Sequence, residues 1–212
     1  MKLLAFPATI IGLLFFIAAA RAEKNAELAP STTKPGEVLV QDAFDEPQLS
    51  KAWAVNKGDW QIAEGALIGR EKAEDKHAAV LTLKQPNRNS LLKFSFKLDG
   101  AKGFNVSFNH AKGHLFRIGV GDKALTLIKD QDKRDPDSKR AVLARAAGAF
   151  SADTWYTMLV EIQGDKVSVQ IDNGLKTSAS HADLDVDKTG YRFVTRSESL
   201  LLDDVTVWRV AP

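Results

Sequence analysis

The chain has 212 residues, contains no cysteine and carries 29 basic residues against 27 acidic ones. Two of the basic residues, Lys2 and Arg21, lie in a segment that we expect to be removed, which leaves 27 of each sign. Such a balance gives no reason to expect nucleic acid or an acidic membrane as a partner. The lack of cysteine excludes disulfides, thiol nucleophiles and thiolate zinc sites.

The first 22 residues have the pattern of a secretory signal peptide. Lys2 is followed by an apolar run over residues 3–20, and Ala20-Arg21-Ala22 forms an A-x-A cleavage site. Cleavage at Ala18-Ala19-Ala20 is a second choice, and an uncleaved anchor is the rival interpretation because about 20 apolar residues can span a bilayer. The small residues at the end of the run favour cleavage. We therefore expect an exported, periplasmic or extracellular protein with no membrane span after cleavage.

A spacer is expected between the signal and the folded part. Residues 23–36 are rich in Lys, Glu, Ala, Pro, Ser and Thr and show no apolar periodicity, which is typical of disorder. Residues 37–212 remain for one domain, which at roughly 175 residues buries about 70% of its unfolded surface.

Period-two alternation of apolar and polar residues recurs through this domain and predicts strands. Residues 60–69 read as a hairpin on Glu64-Gly65, and Asn173-Gly174 predicts a hairpin with a type I′ turn. Residues 130–140 form a charged loop that is too polar to bury. Ala141 to Ala149 is the single candidate helix. About a dozen short strands at this spacing predict an all-β, two-sheet antiparallel sandwich.

Several short motifs add a family resemblance. They are Phe44-Asp45, Trp53, Gly58-Asp59-Trp60, Glu64-Gly65-Ala66-Leu67, Trp155-Tyr156, residues 164–174 between two glycines, and Leu202-Asp203-Asp204-Val205-Thr206-Val207. Over residues 40–210 the chain resembles the concanavalin A-like jelly-roll domains, and among them the exported bacterial family described as 3-keto-disaccharide hydrolase-like. The resemblance implies a jelly-roll fold and a glycan-related function.

The polar face of the central hairpin is the predicted site. Amide, hydroxyl and guanidinium groups on one sheet face suit sugar hydroxyls, which both donate and accept hydrogen bonds. The alternative is that an antiparallel sheet with one wet face shows such residues in any case. The predicted ligand-binding residues are Asn105, Ser107, Asn109 and Arg117. His110 and His114, at the ends of a three-residue turn, are candidates for proton transfer, with solvated turn histidines as the alternative.

Other catalytic and metal patterns do not fit. No Glu-x-Asp-x-x-Glu run occurs, so a retaining glucanase is set aside. Asp130, Asp132, Asp135 and Asp137 are interleaved with Lys and Arg, which favours a solvated loop over a calcium site. We predict no metal and no cofactor. Trp53 and Trp60 lie beside strand starts and are assigned to the edge of the core, with stacking on a pyranose ring as the alternative. Trp155 and Trp208 are assigned to packing as well.

Three functions follow as hypotheses. The first is an exported glycan-binding or glycan-associated jelly-roll module that uses a polar, concave sheet face, with a saccharide or glycoside as partner. The second is a hydrolase of 3-keto-glycosides, which rests on the resemblance, so whether the chain is an enzyme stays open. The third is a structural or adhesion module without a ligand. The sequence predicts no oligomeric state.

Overall fold

A computed structural model describes residues 28–196 and 198–212. Within them the chain forms fifteen strands and two short 3-10 turns, Ala73–Asp75 and Ala182–Leu184. The strands are β1 (Pro35–Asp42), β2 (Trp53–Lys57), β3 (Asp59–Ala63), β4 (Ala66–Arg70), β5 (Ala79–Leu83), β6 (Ser90–Asp99), β7 (Gly103–His110), β8 (Gly113–Gly121), β9 (Ala124–Lys129), β10 (Ala141–Ala147), β11 (Trp155–Gln163), β12 (Lys166–Ile171), β13 (Lys176–Ser180), β14 (Gly190–Thr195) and β15 (Ser199–Val210).

The strands form two antiparallel sheets. The seven-stranded sheet has the order β10-β9-β8-β7-β14-β5-β2. The eight-stranded sheet has the order β13-β12-β11-β6-β15-β4-β3, with β1 also paired to β15. The predicted all-β, two-sheet antiparallel sandwich is confirmed. None of the described helical segments is long and apolar enough to cross a membrane.

The core lies between the sheets and is rich in aromatic rings. Phe94 of β6 meets Phe193 of β14 edge to face across the interface, with ring centroids 5.3 Å apart. The hydroxyl of Tyr191, also on β14, donates to Ser90 Oγ of β6 over 2.8 Å. A buried hydroxyl needs such a partner, so the sheets are joined by a hydrogen bond as well as by apolar packing.

The tryptophans separate into two pairs. Trp53 and Trp60 are buried in the core, as predicted, and their ring N–H groups donate to Asp42 Oδ2 over 2.8 Å and to the Lys57 carbonyl over 3.1 Å. Trp155 and Trp208 are half-buried. Lys97 Nζ lies 5.9 Å from the ring centroid of Trp155.

The two predicted hairpin turns differ in conformation. Glu64 and Gly65 both have positive φ, 53° and 69°, as a type I′ turn requires. At the second hairpin only Gly174 has a positive φ, and its N–H donates to the Ile171 carbonyl over 2.9 Å. That hairpin is therefore present, but the predicted type I′ turn is wrong: a turn through Asn173 is followed by a left-handed glycine.

The predicted helix over Ala141–Ala149 is wrong, because Ala141–Ala147 forms β10. It pairs antiparallel with β9, with Arg145 opposite Thr126, and Leu143 and Ala144 pack against the core. A helix of nine residues is marginal without packing, whereas the edge of β9 offers a hydrogen-bonded ladder, which a register shift between Val142 and Ala144 interrupts once.

The folded part begins before the predicted start at residue 37. Pro35 and Gly36 already belong to β1. Ser31, Thr32 and Thr33 hydrogen-bond to the carboxylate of Glu161 on β11. The predicted signal peptide (residues 1–22) and the first residues of the predicted spacer lie outside the described residues.

Candidate functional site

The candidate site lies on the face of the seven-stranded sheet that is turned away from the core. Along β7, Val106 and Phe108 are fully buried in the core, so strand alternation places Asn105, Ser107 and Asn109 on the opposite, outer face. Arg117 of β8 stands directly opposite Ser107. The structure thus brings the four predicted ligand-binding residues onto one face.

Strand pairing arranges the outer face into two rows, about 7 Å apart along the strands. The first row crosses β5, β14, β7, β8 and β9 and consists of Thr82, Arg192, Ser107, Arg117 and Ile128. The second row crosses the same strands and β10, and consists of Val80, Val194, Asn105, Gly119, Thr126 and Arg145.

A groove of about 430 Å³ opens over the second row. Gly119 is the floor: a Cβ there would lie 2.7 Å from Thr126 Oγ1 and 3.2 Å from Asn105 Oδ1. Any larger residue at this position would fill the space between two hydrogen-bonding side chains. The groove continues along the turn at residues 121–123 and past Lys102. Its volume falls in the range of small-ligand pockets.

Arg117 is held in place by an ion pair. Its Nε donates to Asp130 Oδ2 over 3.1 Å, and its Nη2 donates to Asp130 Oδ1. Asp130 is only 6% exposed, so the expectation that the loop over residues 130–140 is too polar to bury is wrong at its first residue. The carboxylate is buried because a two-pronged guanidinium compensates it.

Arg192 has no such partner. It is half-buried, its Nε is sealed from solvent without a hydrogen-bond partner, and no ion pair among the described residues engages it. Burial lowers the pKa of Arg192 below its ordinary value. A cation that is partly desolvated and that no carboxylate of the described residues neutralises is energetically costly.

The two candidate histidines occupy different surroundings. His114 lies opposite Asn109, and its Nδ1 is 3.2 Å from Asn109 Oδ1. Partial burial lowers the pKa of His114, and the positive charges of Arg192 and Arg117 act in the same direction. His110 is opposite Gly113 at the turn, and burial lowers its pKa too, but the charges that act on it belong to other groups, first among them Asp132 and Arg134. The two rings therefore lie in different electrostatic surroundings.

Carboxylates on the β8–β9 hairpin are too far apart to act together. Asp122 lines the groove at the turn, and Asp130 follows the other end of β9. The intervening six-residue strand spans roughly 20 Å. Paired glycosidase carboxylates stand about 5–9.5 Å apart. In the described part of the chain, no three His, Asp or Glu side chains are grouped as they would be to hold a metal ion.

The sequence prediction missed several residues of this face, namely Arg192, Gly119, Thr126, Arg145, Lys102, Lys123 and Arg196. The strands of Arg192, Gly119 and Thr126 were predicted, and alternation places Arg192 on the face opposite its buried neighbours. Arg145 lies on β10, where a helix was predicted, and Lys102, Lys123 and Arg196 lie outside the strands. The signal that was lacking is the pairing of β14 with β7, two strands separated by 80 residues. Local periodicity carries no information about such a pairing.

Comparison with known proteins identifies the fold. No family model matches the chain, and no curated protein is similar to it in sequence. Among solved structures, carbohydrate-binding module CBM66 from Bacillus subtilis has a TM-score of 0.59 at 13% identity over 74% of this chain and 95% of that one. Porphyranase B from Zobellia galactanivorans has a TM-score of 0.64 at 10% identity over 89% of this chain and 100% of that one. The laminarinase from Rhodothermus marinus has a TM-score of 0.59 at 12% identity over 84% of this chain and 99% of that one.

These likenesses define the class of fold. The chain is a jelly-roll sandwich of the concanavalin A-like type, and the predicted resemblance is confirmed at that level. The narrower resemblance to the 3-keto-disaccharide hydrolase-like family is not confirmed by these comparisons. At identities of 10–13% these likenesses show the fold alone. The ligand and the activity have to be inferred from the residues of the site.

Proposed function

We propose that the domain is a glycan-binding module whose ligand lies across the outer face of the seven-stranded sheet. The observation that carries this proposal is the groove floored by Gly119 between the side chains of Asn105 and Thr126. An amide and a hydroxyl on either side of an open floor match the mixed donor and acceptor character of sugar hydroxyls. The solved structures with this fold include a carbohydrate-binding module and glycan hydrolases, which supports the same class of ligand.

Two substitutions in the groove test the proposal. Asn105→Ala removes one hydrogen-bonding side chain and should weaken glycan binding about tenfold, the value of one or two such bonds. Gly119→Val fills the floor and should abolish binding while far-UV circular dichroism stays unchanged. Titration calorimetry against the glycans found by array screening measures both effects. The groove is the wrong site if Gly119→Val binds like the wild type.

The matched control lies on the opposite sheet. Thr206→Ala removes a half-buried hydroxyl from β15, on a strand that has no part in the groove. It should leave glycan affinity within twofold of the wild type. A domain that binds no saccharide on the array, and whose groove variants behave like Thr206→Ala, would be a structural or adhesion module instead.

A second candidate function is hydrolysis of 3-keto-glycosides, and His114 is the observation that favours it. This side chain is exposed, faces Asn109 and has a lowered pKa, so its ring is neutral and able to accept a proton at pH 7. Incubation with a 3-keto-glucoside, with and without divalent metal, should then release the aglycone from wild type but not from His114→Ala. His110→Ala, from the same turn, tests whether the other candidate histidine takes part. Equal product from wild type and a buffer blank excludes this activity.

Export is proposed from the signal-like residues 1–22, which lie outside the described residues. Expression of the full chain in a bacterial host, followed by fractionation and intact mass, should find a product beginning at Glu23 in the periplasm or medium. A full-length product retained in the membrane fraction would instead indicate an uncleaved anchor.

A further inference from the structure

Basic side chains gather around the groove. Four cations line it, against the single lining carboxylate of Asp122; they are Lys102, Lys123, Arg145 and Arg196. Arg196 lies 3.8 Å from the carboxylate of Glu71. Among the described residues no carboxylate forms an ion pair with Lys102, Lys123 or Arg145. Because the folded chain is close to neutral, this accumulation is local and makes the groove positive.

Arg192 extends the positive charge into the first row. It is two residues from Val194, whose side chain lines the groove, so the two positions are about 7 Å apart on one face. Its buried Nε has no partner in the described part of the chain. Its neighbour across Ser107, Arg117, is by contrast paired with Asp130. The sheet therefore presents one guanidinium that a carboxylate neutralises and one that no carboxylate of the described residues neutralises.

The groove combines this charge with neutral polar groups. Asn105 and Thr126 stand on either side of the floor, and the two rows contain no aromatic side chain. Single-stranded nucleic acids are held largely by stacking of bases on aromatic rings, and such a platform is missing from these rows. Amides and hydroxyls for sugar hydroxyls, together with planar guanidinium groups for oxyanions, suit a polymer that carries both.

We propose that the ligand is an acidic glycan, whose carboxylate or sulfate groups are bound by Arg192 and Arg145 while Asn105 and Thr126 bind its hydroxyls. This inference rests on the proposed function and narrows its ligand class. Guanidinium pairs with carboxylate and with sulfate in the same two-pronged way. The proposal therefore specifies a negatively charged glycan, and the experiment below compares carboxylate with sulfate as the charged group.

The experiment uses pairs of oligosaccharides that share a sugar backbone, one member acidic and the other neutral. Oligogalacturonate is compared with its fully methyl-esterified form, and a sulfated carrageenan oligosaccharide is compared with its desulfated form. Binding of each to the mature protein, which we expect to begin at Glu23, is measured by titration calorimetry. The acidic member of at least one pair should bind about tenfold tighter than its neutral partner, and its affinity should fall as salt is raised. The pair that shows the effect identifies carboxylate or sulfate as the group recognised.

Charge-removing variants locate the effect. Arg192→Gln and Arg145→Gln should each weaken the acidic ligand about tenfold and change the neutral ligand less than twofold. Lys93→Gln, which removes a half-buried cation from β6 of the other sheet, is the matched control and should change neither. Circular dichroism of each variant checks that the fold is retained.

The outcomes separate this inference from the proposed function. Equal binding of acidic and neutral glycans, or equal losses for both in Arg192→Gln, overturns the acidic ligand and leaves the glycan module standing. No binding of any glycan overturns both. Tighter binding of a single-stranded oligonucleotide than of any acidic glycan shows that the cations serve a nucleic acid, and overturns both as well.

Discussion

Asp130 and Arg117 form an ion pair on the proposed binding face. The carboxylate is 6% exposed and the arginine side chain 32% exposed, so the pair is neither fully buried nor freely solvated. Removing the cation from such a pair leaves a nearly buried charge without compensation, which costs more than the pair itself contributes. A single substitution at Arg117 therefore tests stability and binding at once, and the two effects must be separated.

The first prediction is that Arg117→Met lowers the free energy of unfolding by about 2 kcal/mol, since partial exposure of the arginine limits the cost. Arg117→Met combined with Asp130→Asn should recover more than half of that loss, because no unpaired charge remains. Urea unfolding of wild type, Arg117→Met, Asp130→Asn and the double variant forms a double-mutant cycle, which measures the coupling energy between the two side chains. Additive losses would mean that the two side chains do not interact energetically.

At the scale of elements, the segment before β1 is fastened to the eight-stranded sheet by one carboxylate. Glu161 Oε1 accepts from the N–H and Oγ of Ser31 at 3.0 and 2.8 Å, and Oε2 accepts from the N–H groups of Thr32 and Thr33 at 3.0 and 3.1 Å. Burial alone would raise the pKa of Glu161, but these bonds outweigh it and lower the pKa to about 2. The segment thus depends on the charged form.

The second prediction concerns acid stability. A carboxyl whose folded pKa is depressed contributes stability above its ordinary pKa of 4.5 and loses it as the pH falls toward 2. The shift corresponds to about 3 kcal/mol. The difference in unfolding free energy between wild type and Glu161→Gln should therefore shrink by about that amount from pH 6 to pH 2. Glu37→Gln, an exposed carboxylate on β1, is the control, and parallel profiles for wild type and Glu161→Gln would contradict the prediction.

The strands also show which parts of the structure the sequence predicts and which it does not. The sequence pattern of short apolar and alternating segments between turn residues predicted β6, β7, β8, β9 and β11, and alternation placed Asn105, Ser107 and Asn109 together. The prediction failed at β10, where the alanine-rich composition indicated a helix but the segment pairs as a strand with the edge of β9. It also missed Arg192, because the neighbour of β14 is fixed by the folded topology and not by its own residues.

At the scale of the whole molecule, one core serves both sheets. Phe94 contacts Phe193 across the interface and also lies 6.1 Å from Phe96 and 6.2 Å from Phe104, measured between ring centroids. The same interior supports β7 and β14, which carry the groove residues on their opposite faces. Loss of packing in the core should therefore be transmitted to the geometry of the groove.

The last prediction follows from that shared interior. Phe94→Ala should lower the free energy of unfolding by about 3–5 kcal/mol and the melting temperature by roughly 10 °C, because it removes a ring that both sheets contact. Tryptophan fluorescence and far-UV circular dichroism should still report one coincident transition, since neither sheet retains a core of its own. Phe94→Leu, which keeps most of the buried volume, should cost less than half as much. Two separated transitions in either variant would show that the sheets fold as independent units, and that the binding face does not depend on the sheet behind it.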